Sequence, residues 1–202
     1  MAIVPLPPPS RATGADMSER IDIMYRRHRI IAGERQGSPA AVVYDGSANL
    51  HEADGSTVTA ALEKAKTWID HVLNGEIAKR RSPYVGTREE YRRAFRTLSV
   101  GKHHEDMLRA HANAPDHTLT ATELARAAGY DSYEAANAHY GRLGRQVAEF
   151  LDLSPRVHPQ RGEPVWTMAI AAGVDEAEGE NAHWRWTMHP EVVHALQDLN
   201  MA

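Results

Sequence analysis

Between Ser132 and Leu151 apolar residues recur at spacings that only a helix buried along one side satisfies. Tyr133, Ala136, Tyr140, Leu143, Val147 and Phe150 are separated by 3, 4, 3, 4 and 3 positions, a stripe on a helix of 3.6 residues per turn. At about 100° per residue the opposite side is then determined. Ala135, Ala138, His139, Arg142, Arg145 and Gln146 face outward, with Gly141 beside them. Upstream, Thr120 and Glu123 have capping-box spacing, in which each side chain bonds the other's free backbone N–H. Gly129 is placed to end the helix that starts there, and Asp131 with Glu134 repeats the start signal. Two helices joined so tightly make a helix-turn-helix.

The flanking segments predict what surrounds this pair. Lys102 to Ala114 reads as a helix with Met107, Leu108 and His111 on one side, ended by Pro115, because the residue before a proline is pushed out of the helical region. After a polar loop, Pro155 to Gly162, the run Pro164 to Ala171 reads as a strand and His183 to Met188 as its partner. An acidic tip, residues 173–181, joins them, and Pro190 suits the first turn of a closing helix lined by Val192, Val193, Leu196 and Leu199. A hairpin after two helices is the wing of a winged-helix arrangement. Trp166, Trp184 and Trp186 on the wing strands read first as core, since large rings at strand spacing seal small domains.

The first half reads differently. Ile21 to Ile31 and Ala40 to Tyr44 are strand-like, separated by the turn-rich Gly33 to Pro39. Asp54, Gly55 and Ser56 then turn into a helix with Val58, Ala61, Leu62, Ala65, Trp68, Ile69, Val72 and Leu73 on one face, stopped by Gly75. The expected fold is therefore α+β: a small N-terminal ββα unit, residues 20–75, then a winged helix-turn-helix-like domain, residues 99–202, with a C-terminal β-hairpin wing and a closing helix. Residues 1–19 read as a disordered leader. Residues 76–98 read as a charged, solvated linker that becomes helical near Arg88 to Leu98.

Composition narrows the chemistry. The chain of 202 residues has no Cys, which removes disulfides, thiol catalysis and thiolate metal sites and makes a reduced cytoplasm the default. The proline-broken start is neither a signal peptide nor a membrane span, so no membrane partner is expected. A net charge of −4 argues against indiscriminate coating of nucleic acid, which requires many cation–phosphate contacts. The distribution is uneven. Residues 1–75 carry 8 basic and 9 acidic groups, residues 76–145 carry 12 and 9, and residues 146–202 carry 3 and 9. A basic middle against an acidic tail suits a protein that holds an anionic partner on one side only.

Glu105 to Leu151 resembles the winged-helix half of the alkylguanine-DNA alkyltransferases and alkyltransferase-like proteins. The likeness rests on Met107-Leu108, the threonines of Thr118 to Ala125, Ala128-Gly129-Tyr130 and Ala135-Ala136-Asn137-Ala138. It implies that the second helix enters the minor groove of DNA. The family uses an arginine near that helix's start to push a nucleotide from the stack, where this chain has Asn137. The family's Pro-Cys-His-Arg is missing, which excludes alkyl transfer; Pro155 to Pro159 is similar to it in composition only. His104 to Leu199 also resembles modules associated with HNH-type restriction endonucleases and phage or mobile-element proteins, which implies a setting in restriction, defence or counter-defence.

No phosphate-binding loop, dinucleotide fingerprint or nucleophile elbow occurs. Neither Asp106 with Asp116 nor Glu89 with Glu90 has an evident proton-transfer partner, and the twelve histidines lack ligand spacing. The reading is non-catalytic, without metal or cofactor. Its leading form is duplex DNA recognition by helix 132–151, with Lys102, Arg126, Arg142 and Arg145 on phosphates, Asn137 or His139 on base edges or sugars, and Ser132 and Gln146 on the same surface. The alternative is a protein-interaction module or inhibitor, docking on a nuclease, a defence complex or a second copy of the chain through the same helix or the acidic loop 173–181.

Overall fold

The computed structural model describes residues 20–174 and 185–202, which fall into two units divided at Asn74/Gly75. The expected leader, most of the acidic tip, and His183 and Trp184 of the expected wing strand lie outside the described residues. Among the described residues the chain is α+β, with a four-stranded antiparallel sheet, six α-helices and a second sheet of three strands. No helix among them is long and apolar enough to cross a membrane.

The first unit is a meander of four strands followed by a helix, rather than the two strands expected. Strands β1 (Ile21–Tyr25), β2 (His28–Arg35), β3 (Ser38–Asp45) and β4 (Ala48–Asp54) pair in chain order. The run Ile21 to Ile31 is broken by a two-residue turn at Arg26-Arg27, both with positive φ (48° and 72°). Two central residues in that region make the turn whose twist matches a hairpin, and a charged pair without glycine hides it from inspection. β4 carries no clear strand pattern because it is an edge strand of mostly polar residues, of which Ala53 is buried. Helix α1 (Val58–Ile77) covers one face of the sheet. The cross-strand set Ile30–Val43 and Ala32–Ala41–Ala53 meets Val58, Ala61, Leu62, Ala65 and Ile69 in one core. Gly75, expected to stop α1, lies inside it.

The second unit begins where a connector was expected. Helix α2 (Arg88–Thr97) opens on a capping box of Thr87 and Glu90 and buries Tyr91, Ala94 and Phe95 in the main core. Its neighbouring charges are paired within the unit: Arg81 with Glu191, Arg88 with Asp198, and Arg93 with Glu76. The buried spacing 91, 94, 95 was masked by the charged residues between. One pair is interior. Arg80 and Glu90 keep only 6% and 3% of their side-chain surface exposed, and Arg80 Nη2 donates to Glu90 Oε1 at 2.6 Å. The same guanidinium donates to the carbonyl of Leu151 at 2.6 Å and to that of Asp152 at 3.3 Å.

Helix α3 (Lys102–Ala112) leads through a 3-10 turn (Pro115–His117) into strand β5 (Thr118–Thr120). That strand differs from the expectation of a cap alone at these threonines; Thr120 serves both, closing the capping box with Glu123 at the start of helix α4 (Ala121–Ala127). Helix α5 (Tyr133–Leu151) follows, capped by Ser132 rather than Asp131. The segment expected as a strand from Pro164 is instead a 3-10 turn (Trp166–Ala169), and strand β6 is Ala171–Val174. Strand β7 (Arg185–Met188) pairs antiparallel with both β5 and β6, giving the order β5-β7-β6, and helix α6 (Pro190–Asp198) closes the chain.

Two contacts seat α5 in this core. Gly144 lies against the 3-10 turn so closely that a Cβ would come within 2.3 Å of the Trp166 carbonyl oxygen. His111 of α3, fully buried, links α5 to the sheet: Nδ1 lies 2.8 Å from the Tyr140 hydroxyl and Nε2 2.8 Å from the Trp186 carbonyl. A carbonyl only accepts, so Nε2 carries the proton and Tyr140 donates to Nδ1.

Removing one partner of the interior ion pair strands the other charge, which costs about 3–5 kcal/mol. Glu90→Gln and Arg80→Met are each expected to lower urea stability by that order, and Arg80→Met/Glu90→Gln by less than the sum of the two. Additive losses in the three unfolding curves would contradict this account.

Candidate nucleic-acid interface

The buried side of α5 matches its stripe at Ala136, Tyr140, Leu143 and Val147, with Phe150 half-buried against the same core. Tyr133 departs from it and is 53% exposed. It is the first residue of the helix, beyond the packed interior. On the other side Asn137, Ala138, Arg142, Arg145 and Gln146 are exposed, and Ala135, His139 and Gly141 are half-buried.

The side chains named from sequence do not form one cluster. Arg142 makes no ion pair among the described residues, whereas Arg145 Nε donates to Glu149 Oε1 at 2.7 Å and its guanidinium lies 5.6 Å from the Trp166 ring centre. The Ser132 hydroxyl accepts from the backbone N–H of Ala135 at 3.3 Å, so its first task is capping. Lys102 opens α3 and its ammonium is held by Asp106 at 2.8 Å. Arg126 is exposed in the last turn of α4.

His139 belongs to a ring cluster at the junction of α3 and α5. It stacks on Tyr130 with ring centres 4.6 Å apart, and lies 5.8 Å from His104; Tyr130 in turn meets His103 at 5.2 Å. His103 Nδ1 lies 2.8 Å from the Ala128 carbonyl, which ties α3 to the end of α4. Burial, with the nearby His139 and Arg142, holds the His104 imidazole below its ordinary value. Among the described residues no three His, Asp or Glu side chains are arranged to hold a metal ion.

Sequence reasoning missed the cleft beside α5. Its volume is about 850 Å³, and one wall is Asn137 and Gly141 of the helix. The segment after the helix also lines the cleft, with Arg156, His158 and Arg161, as do Val165 and Trp166. Read as a polar loop, this segment gave one signal, the alternation of Arg and His with Pro in residues 155–161. The chain matches no family model, no curated protein and no solved structure.

Two buried histidines are expected to make the stability of the second unit fall with acid. Burial pushes His111 down to about 4, and His189, against the Met168 carbonyl at 2.9 Å, is also lowered, chiefly by burial. A histidine held neutral in the fold protonates more readily in the unfolded chain. Its stabilisation is therefore complete above about pH 6.5 and is lost as pH falls toward the folded value. For His111 alone the loss between about pH 6.5 and 4 is about 3 kcal/mol. Urea unfolding at stepped pH is expected to show this decline, reduced in His111→Asn; a flat profile would refute it.

Proposed function

We propose that residues 75–202 form a winged-helix-like, non-catalytic module that binds duplex DNA, with α5 lying in a groove. The observation that carries this reading is the solvent face of α5, where small residues are followed by two arginines. Ala138 and Gly141 let the helix backbone approach a partner closely, and Arg142 and Arg145 follow within about one turn, positioned for phosphates. Asn137 and His139 stand where base edges or sugars would lie. Lys102 and Arg126 supply phosphate contacts at the margin.

The order of elements supports the same reading: a helix, a short strand, two helices across a tight turn, then two more strands, the last of which lies between the other two in the sheet. A winged helix would have such a succession. The exposed Arg145–Glu149 pair does not stand in the way, because a solvent-facing i,i+4 pair contributes only about 0.3–0.5 kcal/mol and gives way to a phosphate.

Wild-type protein is expected to shift a mixed-sequence duplex with affinity that falls steeply with salt. Arg142→Ala/Arg145→Ala should lower the affinity at least tenfold while the urea midpoint stays nearly unchanged. Equal affinity in the double variant would overturn the proposal, and a partner protein retained after nuclease treatment would replace it with docking of that protein on α5.

A further inference from the structure

The cleft beside α5 has a wall the helix does not supply, and its construction is specific. Residues 152–170 connect α5 to β6, and their middle is a closed loop, not a slack tether. Val157 bridges Pro164; the N–H of His158 donates to the Glu163 carbonyl at 2.8 Å, that of Gly162 to the His158 carbonyl at 2.9 Å, and that of Val165 to the Arg156 carbonyl at 2.9 Å. Inside the loop His158 Nδ1 accepts from the backbone N–H of Gln160 at 3.3 Å and of Arg161 at 3.4 Å. The ring thus holds the tip in shape, and as a neutral imidazole it keeps its proton on Nε2. The Arg156 guanidinium lies 5.2 Å from the ring centre of Tyr84, a residue packed on the main core.

The charged residues of this loop that line the cleft are Arg156, Arg161 and Glu163. Between them lie Pro159, Pro164 and Val157, the last 57% exposed. Cations at the rim and small apolar surfaces between them complement a sugar–phosphate strand: phosphates meet the guanidinium groups and deoxyribose faces meet proline and valine. An acidic protein would satisfy these cations, but the same cleft is lined by Asn137 and Gly141, the face through which α5 is proposed to meet DNA.

We propose that loop 155–165 is a second nucleic-acid contact, in which Arg156 and Arg161 clamp the phosphodiester backbone of the strand that α5 engages. The inference rests on the DNA-binding reading of α5 and extends it to a site that neither helix of the helix-turn-helix provides. Two arginines on two phosphates release two sets of counterions, so the clamp sets part of the salt dependence.

The test measures the full chain against a fluorescein-labelled mixed-sequence duplex at four salt concentrations, for wild type, Arg161→Gln, Arg156→Gln/Arg161→Gln and Arg156→Lys/Arg161→Lys. The double glutamine variant should bind about tenfold more weakly at low salt. Its log–log salt slope should be shallower by about 1.8, from about 0.9 per phosphate contact. Arg161→Gln, which leaves the Arg156–Tyr84 contact intact, should lose about half of that slope change, and the double lysine variant should keep the wild-type slope. Wild-type affinity and slope in both glutamine variants, alongside a weakened Arg142→Ala/Arg145→Ala, would overturn the clamp and leave α5 standing. Absence of any salt-dependent duplex binding by wild type would overturn both.

Discussion

The second unit is organised around a guanidinium that has almost no access to water. Arg80 is held between Glu90 and the last carbonyls of α5, so one buried cation binds the start of α2 to the end of the longest helix of its unit. Each partner needs the other. Glu90 also accepts from the Thr87 N–H at 2.8 Å, closing the capping box, so its carboxylate is saturated. Burial would raise its pKa, yet the guanidinium and the Thr87 N–H prevail and hold the group below the usual carboxylate value. The positive charge also sits where a helix macrodipole is negative.

With its C-terminus fixed there, α5 has little freedom to rotate. Gly144 brings the backbone against the turn at Trp166, and Tyr140 reaches His111, which in turn reaches β7. These contacts lie on the buried side, at different heights along the helix. The rotation they impose decides that Asn137, Ala138, Arg142 and Arg145 meet solvent, and the close approach at Gly144 places the 3-10 turn and the loop before it beside that exposed face. The cleft is thus a consequence of how the helix is anchored.

Charge acquires a different meaning once partners are visible. Residues 76–98 carry much of the chain's positive charge, and the fold places Arg80, Arg81, Arg88 and Arg93 in ion pairs reaching Glu90, Glu191, Asp198 and Glu76. A segment expected to be solvated and separate is therefore part of the core of its unit. Much of the basic excess of the middle of the chain is therefore taken up in ion pairs within the fold.

Local chemistry by itself determined the α+β class, the start of α4 at Thr120, the helix from Ser132 and which of its sides turns inward, because caps and 3.6-residue periodicity depend on neighbours in sequence. It also located the helix after Gly55, although the helix continued through Gly75 because a lone glycine weakens a helix without ending it. Tertiary structure alone decided the rest. The turn at Arg26-Arg27 forms because strands β1 and β2 pair around it, the edge strand β4 exists because β3 offers it a ladder, and the run after Pro164 becomes a 3-10 turn because Gly144 opens a place for it. The pairing of Arg80 with Glu90 and the cleft opposite Asn137 join residues whose proximity depends on long-range packing, which no local pattern encodes.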